Sequence, residues 1–122
     1  MKYLCLAYEA EDTFTSMPHS DWEKLRDETL AYVDELQRSG HLIQTNALQS
    51  ARTSKKVAVR HGKTWITDGP FAETKEQLGG FFLIEASDLN AAVQIASRWP
   101  GARFGTIEVR PVEEALRIEG RY

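Results

Sequence analysis

The sequence has a single cysteine, no excess of basic residues and no long apolar segment. Cys5 has no partner for an intramolecular disulfide, which fits a reducing compartment. The 15 Lys and Arg residues are outnumbered by 18 Asp and Glu residues, so we expect no nucleic-acid surface and no attraction to an acidic membrane. No apolar run approaches the ~18 residues of a membrane span, and the chain opens without a leader-like segment. A cytoplasmic protein is therefore expected.

Histidine and metal-ligand motifs are also scarce. His19, His41 and His61 are far apart in sequence, with no spacing typical of a zinc site. No phosphate-binding loop of the G-x-x-x-x-G-K-[ST] type occurs. We expect neither a metal nor a cofactor.

Hydrophobic patterning predicts six strands and two helices in one domain spanning residues 1–122. A capping box at Ser20–Glu23 predicts the start of the first helix, and Gly40 its end. Ser87-Asp88 predicts the cap of the second helix, and His61-Gly62-Lys63 the turn of a hairpin in which Gly62 supplies the left-handed position. A short helical start is predicted at residues 113–116. The predicted strands are 2–8, 41–49, 57–60, 64–67, 80–86 and 104–110.

This order, β-α-β-hairpin-β-α-β, is typical of an α+β fold, the ferredoxin-like split β-α-β sandwich, here with an extra hairpin. Both helices would cover one face of the sheet and leave the other bare. Neither face of the sheet would be uniformly polar, because the predicted strands carry large apolar residues such as Tyr3, Phe82, Ile84, Ile107 and Val109. Because a monomer rarely exposes a large apolar face, we expect a homodimer with its sheets facing each other.

The segment Thr67–Glu76 (TDGPFAETKE) is the main candidate site, because glycine and proline punctuate a run of charged residues beside an apolar strand. Asp68 is a candidate general base, and Lys75 a candidate for holding an anionic substrate. Asp68 can equally be a turn-fixing acceptor, and the charges around Lys75 can equally be a solvated loop. Arg110 can read a carboxylate or simply pair with Glu108. Further candidates for substrate binding are Phe71, Glu73 and Glu76.

The chain resembles the YCII-related proteins, and within them the DGPF-domain branch. The resemblance is carried by Val59-Arg60, Gly62, the Thr67–Glu76 segment, Leu78–Phe82, Asp88-Leu89, Ala91-Ala92, Gly105 and Ile107–Val112. It implies a dimeric α+β barrel built on the ferredoxin-like unit. The wider group is associated with a His–Asp pair whose histidine lies on the first helix. The helix predicted from Ser20 onward contains no histidine.

Two classes of function are consistent with this resemblance. One is a metal-free acid–base enzyme that acts on a small organic acid at the Asp68–Glu76 loop. The other is a non-enzymatic accessory or regulatory module, because genes of the DGPF branch often lie beside those of extracytoplasmic-function sigma factors. A third alternative is structural: the Thr67–Glu76 segment only locks a loop against the partner subunit.

Overall fold

The computed structural model describes residues 1–114 and contains the elements in the predicted order. Short 3-10 turns occur at Ala51–Thr53 and Pro100–Arg103. The helices are α1 (His19–Arg38) and α2 (Leu89–Ser97), and the strands are β1 (Lys2–Ala10), β2 (Leu42–Ala47), β3 (Lys55–Arg60), β4 (Lys63–Asp68), β5 (Glu76–Glu85) and β6 (Thr106–Pro111). Residues 112–114 have no regular structure, and the second half of the helix predicted at 113–116 falls outside the described residues.

Four strands form one sheet in the order β2-β5-β1-β6, with all neighbours antiparallel. β1 and β2 are therefore parallel with β5 between them, and α1 connects them; β5 and β6 are related in the same way by α2. This is the split β-α-β pattern. The hairpin β3-β4 is a separate two-stranded sheet. Because β2 and β6 are edge strands, the sheet is open, and the closed barrel implied by the resemblance is not formed within one chain.

The core lies between the helices and one face of the sheet. Tyr3 and Cys5 of β1 pair with Ile84 and Phe82 of β5, and all four side chains are at most 1% exposed. Ile107 and Val109 pack against this cluster from β6. The five apolar residues expected on both faces therefore all lie on the helix side. The opposite, uncovered face carries a different set: Leu4, Leu6, Tyr8, Leu78, Phe81 and Leu83.

Aromatic contacts join the helices to the sheet. The Trp99 ring stacks on Phe82 with centroids 4.0 Å apart, which fixes the end of α2 on the central strand. The Tyr32 hydroxyl donates a 2.6 Å hydrogen bond to the Ile95 carbonyl, tying α1 to α2. Tyr32 is one of three buried residues of α1, with Leu25 and Leu36. Helical spacing in the sequence predicts an apolar face that contains both leucines but not Tyr32: Trp22, Leu25, Thr29, Val33 and Leu36.

The start of α1 differs from the prediction. The helix begins at His19, and Pro18 occupies the N-cap with no side-chain hydrogen bond. The Pro18 carbonyl accepts from the Asp21 and Trp22 amides at 3.0 and 3.1 Å. A capping box at Ser20 and Glu23 is therefore absent, since both residues already lie inside the helix. By contrast, the Asp88 carboxylate caps α2 as predicted, accepting from the Ala91 amide at 2.8 Å.

These two helix starts generate a matched test. We expect Asp88→Ala to lower the free energy of unfolding by about 1 kcal/mol, because an N-terminal amide of α2 loses its acceptor. Ser20→Ala should be neutral within a few tenths of a kcal/mol, since the serine caps nothing and alanine favours helix. Urea denaturation of both variants measures the difference. A loss at Ser20 equal to that at Asp88 would contradict the observed start of α1.

Candidate functional site

The Thr67–Glu76 loop is held at the base of the hairpin. The Asp68 carboxylate is 83% exposed and pairs with the Lys55 ammonium. The Lys56 ammonium donates to the carbonyls of Asp68 and Pro70 at 3.2 and 3.0 Å. Gly69 adopts a φ of 88° and donates its amide to Ser54 at 2.9 Å. The loop is therefore an anchored turn, and Asp68 faces solvent.

The other predicted site residues do not converge on Asp68. Phe71 is 95% exposed, and Glu73 and Lys75 are exposed as well. The guanidinium of Arg110 pairs with the Glu108 carboxylate on the uncovered face of the sheet. Arg110 lies opposite Leu4, whereas Glu76 lies opposite Ala10, six residues further along β1. At about 3.4 Å per residue this separation is roughly 20 Å within one chain.

Two hollows flank the ends of β1 and β5. The first, which we call the hairpin groove, has a volume of about 760 Å³ and lies between the base of the hairpin and the uncovered sheet face. Its walls include Tyr8, Leu78, Lys56, Phe71 and Glu76. Two of the predicted binding residues, Phe71 and Glu76, therefore line this groove. Asp68, Glu73, Lys75 and Arg110 do not.

The second hollow, the α1 cavity, lies between α1 and the sheet and has a volume of about 420 Å³. The sequence predicts a ligand pocket either between the sheet and the helices or at the dimer interface, floored by the Asp68–Glu76 segment. The α1 cavity has the first of these positions, but no residue of the Thr67–Glu76 loop lines it. Its floor is formed by β1 and β5, and Phe14 closes one side. Its helix-side walls are apolar or carry a satisfied hydroxyl: Leu25, Thr29, Leu30, Val33 and Trp99.

Glu9 is the ionisable residue in the lining of the α1 cavity. It follows Cys5 and Ala7 at alternate positions of β1, so its side chain lies on the helix face of the sheet. Burial, followed by the charges of Glu11 and Glu76, raises the pKa of Glu9 from 4.5 to about 7. Near neutral pH this carboxyl is present in both protonation states, which suits a general acid or base.

A bulge in β5 makes room for this carboxyl. Ala7 pairs with Gly80 and Tyr8 pairs with Leu78, so Gly79 between them has no partner. A Cβ atom at Gly79 would lie 1.7 Å from Oε1 of Glu9. Glycine at this position therefore lets the Glu9 side chain lie directly on the backbone of β5.

The sequence does not single out Glu9, because residues 9–19 are polar, contain one proline and predict a loop. Two signals were present. The alternation of Tyr3, Cys5 and Ala7 continues to Glu9 on one face, and Gly79-Gly80 indicates a close backbone approach. What the sequence could not supply is the register that places Gly79 beneath Glu9.

The histidines and the cysteine lie away from this cavity. His19 is in fact the first residue of α1, but its side chain is 79% exposed and pairs with Glu23 at 2.8 Å. Burial raises the pKa of the Cys5 thiol to about 12, which leaves it unreactive. Within residues 1–114, no three His, Cys, Asp or Glu side chains are grouped closely enough to bind a metal. Neither helix of that range is both long and apolar enough to cross a bilayer.

Comparison with known proteins places the chain in a family. Residues 1–115 match the YCII-related domain. The chain is also 34% identical over 116 residues to an uncharacterized protein of Rhizobium meliloti (strain 1021), with 92% of each chain covered. The chain belongs to the YCII-related family. The match covers both hollows of this YCII-related domain, and it extends over the loop, the bulge and Glu9.

The α1 cavity makes stability depend on pH. The pKa of Glu9 is about 7 in the folded chain and 4.5 ordinarily, so the unfolded chain loses this proton first as pH rises. The protonated carboxyl's contribution is therefore fully present below about pH 4.5 and is lost as pH rises through about 7. Across this window we expect the free energy of unfolding of wild type to fall by on the order of 1 kcal/mol relative to that of Glu9→Gln, after allowance for solvent screening.

Urea unfolding of both proteins across this pH range measures the effect. Gly79→Ala is the matched second variant, because its methyl group forces the Glu9 carboxyl outward and should flatten the same difference. Parallel pH curves for wild type and Glu9→Gln would show that the carboxyl is not desolvated.

Proposed function

We propose that this YCII-related domain binds a small, largely apolar molecule in the α1 cavity and that Glu9 moves a proton on that molecule. The observation that carries the proposal is a single carboxyl set among apolar walls, half-buried and without a hydrogen-bond partner in the described part of the chain. The hydroxyl of Thr29 donates to Leu25, and that of Thr45 to Phe81, so neither competes for the ligand.

The chemistry requires only this side chain. As a carboxylate, Glu9 accepts a proton from an acidic C–H or O–H bond of the ligand, and the bonding electrons stay on the ligand as an enolate or alkoxide. As a carboxylic acid, it returns that proton to the same or a neighbouring atom. A base with a pKa near the working pH is well suited to both halves of this exchange. Neither a metal nor a cofactor is needed.

In this proposal the loop has a supporting role. Asp68, predicted as a general base, lies in solvent beside Lys55, and we assign it to fixing the turn. Lys75 and Glu73 remain candidates for contacts with a bound molecule or a partner. We also propose that the chain belongs to the DGPF branch, on its Asp68-Gly69-Pro70-Phe71 sequence, and that it acts in the cytoplasm.

The proton-transfer test needs no knowledge of the natural substrate. In deuterated buffer, wild type should accelerate hydrogen–deuterium exchange at the carbon next to the carbonyl of cyclohexanone. NMR measures this exchange as the loss of the proton signal. The rate should rise with pH through about 7, because the carboxylate is the base. In Glu9→Gln the exchange rate should fall at least about tenfold, while the matched variant Asp68→Asn should keep the wild-type rate. Equal loss in both variants, or none in Glu9→Gln, would contradict the proposal.

We further propose that the chain is a homodimer formed through the uncovered sheet face. Leu4 pairs with Leu83 and Leu6 with Phe81, which gives four adjacent apolar side chains that no helix covers. Their cross-strand neighbours on β6, Arg110 and Glu108, form an ion pair at the edge of this patch. A second copy related by a two-fold axis would cover the patch and meet the ion pair with its own.

Leu83→Glu tests this interface, because it places a charge in the middle of the apolar patch between Leu4 and Gln44. We expect it to convert a dimer into a monomer in sedimentation velocity. Val93→Glu on α2, at a residue 43% exposed on the other side of the molecule, should leave the dimer intact. A wild-type protein that sediments as a monomer at high concentration would refute the proposed interface.

An accessory role with a protein partner, such as a sigma factor, is the second candidate function. It is favoured by the hairpin, which makes few contacts with the body of the molecule and carries exposed apolar side chains. These are Val57, Val59, Trp65 and Ile66, each more than half exposed. Such a projecting apolar surface is typical of a protein-interaction site. It does not compete with the α1 cavity, which lies under the helix.

A further inference from the structure

The hairpin groove is a second hollow on the opposite side of the sheet from the α1 cavity. Tyr8 and Leu78 form part of its floor from the uncovered face, and Leu48 and Val57 add apolar walls. Its charged lining residues are Lys55, Lys56 and Glu76. A largely apolar hollow with a few charged groups is the usual form of a small-molecule site.

Lys56 differs from the other charged residues of the groove. Its ammonium group is partly buried and donates to two backbone carbonyls, those of Asp68 and Pro70. An ammonium has three donors, so one remains for another acceptor. Lys55, in contrast, is paired with the Asp68 carboxylate. Among residues 1–114, no carboxylate lies within ion-pair distance of Lys56.

The two carbonyl contacts hold the Lys56 ammonium in place before any ligand binds. A flexible surface lysine loses side-chain entropy when it captures an anion, and part of that cost is avoided here. Lys55 also lines the groove, but its charge is already paired with the Asp68 carboxylate. Glu76 lies on β5, where its negative charge disfavours an anionic group.

We propose that the hairpin groove binds an amphipathic organic carboxylate, with the carboxylate on the Lys56 ammonium and the hydrocarbon part along Tyr8, Leu48 and Leu78. A single available ammonium, with no arginine in the groove lining, suits one singly charged head group better than a phosphate. This gives the small organic acid expected from the sequence a specific location. It does not require the acid–base role of Glu9, which lies on the other side of the sheet.

Octanoate and octanamide form a matched pair of probes, because they share a hydrocarbon chain and differ in charge. We expect wild type to bind octanoate about tenfold more tightly than octanamide, because only octanoate can form a charge-assisted hydrogen bond with the Lys56 ammonium. In an NMR titration the shifted amides should include Tyr8 and Leu78. Lys56→Gln should bring octanoate down to the affinity of octanamide and leave octanamide unchanged. Lys56→Arg, which keeps the charge, should retain the preference.

Two further variants separate this proposal from its alternatives. Glu9→Gln should bind octanoate at least as tightly as wild type does, so failure of the acid–base proposal leaves this one testable. Lys55→Gln should weaken the binding of octanoate less than Lys56→Gln does, since the Lys55 charge is already paired. Equal binding of octanoate and octanamide, unchanged octanoate binding in Lys56→Gln, or shifts confined to α1 cavity residues such as Thr29 would each overturn the assignment.

Discussion

The desolvation of one carboxyl group against the backbone of β5 determines the chemical character of this molecule. Glu9 lies on the helix face of the sheet, where the neighbouring positions of β1 are apolar, and Gly79 provides the space beneath it. Any side chain at Gly79 would displace the carboxyl toward solvent. The bulge also shifts the pairing of β1 with β5 by one residue, at the place where α1 and Phe14 close over a cavity rather than over a filled core. Packing and chemistry thus depend on the same backbone irregularity.

Much of the fold could be predicted because its signals are local. Asp88 caps α2, and His61 and Gly62 adopt φ values of 54° and 73°, as a tight hairpin turn requires. The start of α1 could not be predicted in the same way, because two motifs compete there. Ser20 and Glu23 have capping-box spacing, but Pro18 begins the helix two residues earlier with its fixed φ. Which apolar strand residues share the helix face could not be predicted either, because this depends on register, which is a long-range property.

The candidate site shows the same division between local and long-range information. The Thr67–Glu76 loop was recognisable as an ordered turn, and its anchoring by Lys56 and Ser54 agrees with that interpretation. Its sequence does not indicate which side chains face solvent, because that depends on where the hairpin joins the body. Glu9 was hidden for the opposite reason. Its own neighbourhood looks like a loop, and its environment is created by residues about 70 positions away in the sequence.

The two hollows are coupled electrostatically through Glu76. This residue lines the hairpin groove, and its charge is one of the groups that raise the pKa of Glu9 across the sheet. An anion held in the groove adds negative charge on the same side as Glu76, so it would favour the protonated form of Glu9 further. By linkage, deprotonation of Glu9 must disfavour that anion by the same free energy. The effect is limited by solvent screening, because Glu76 is exposed, but its sign follows from the arrangement of the charges alone.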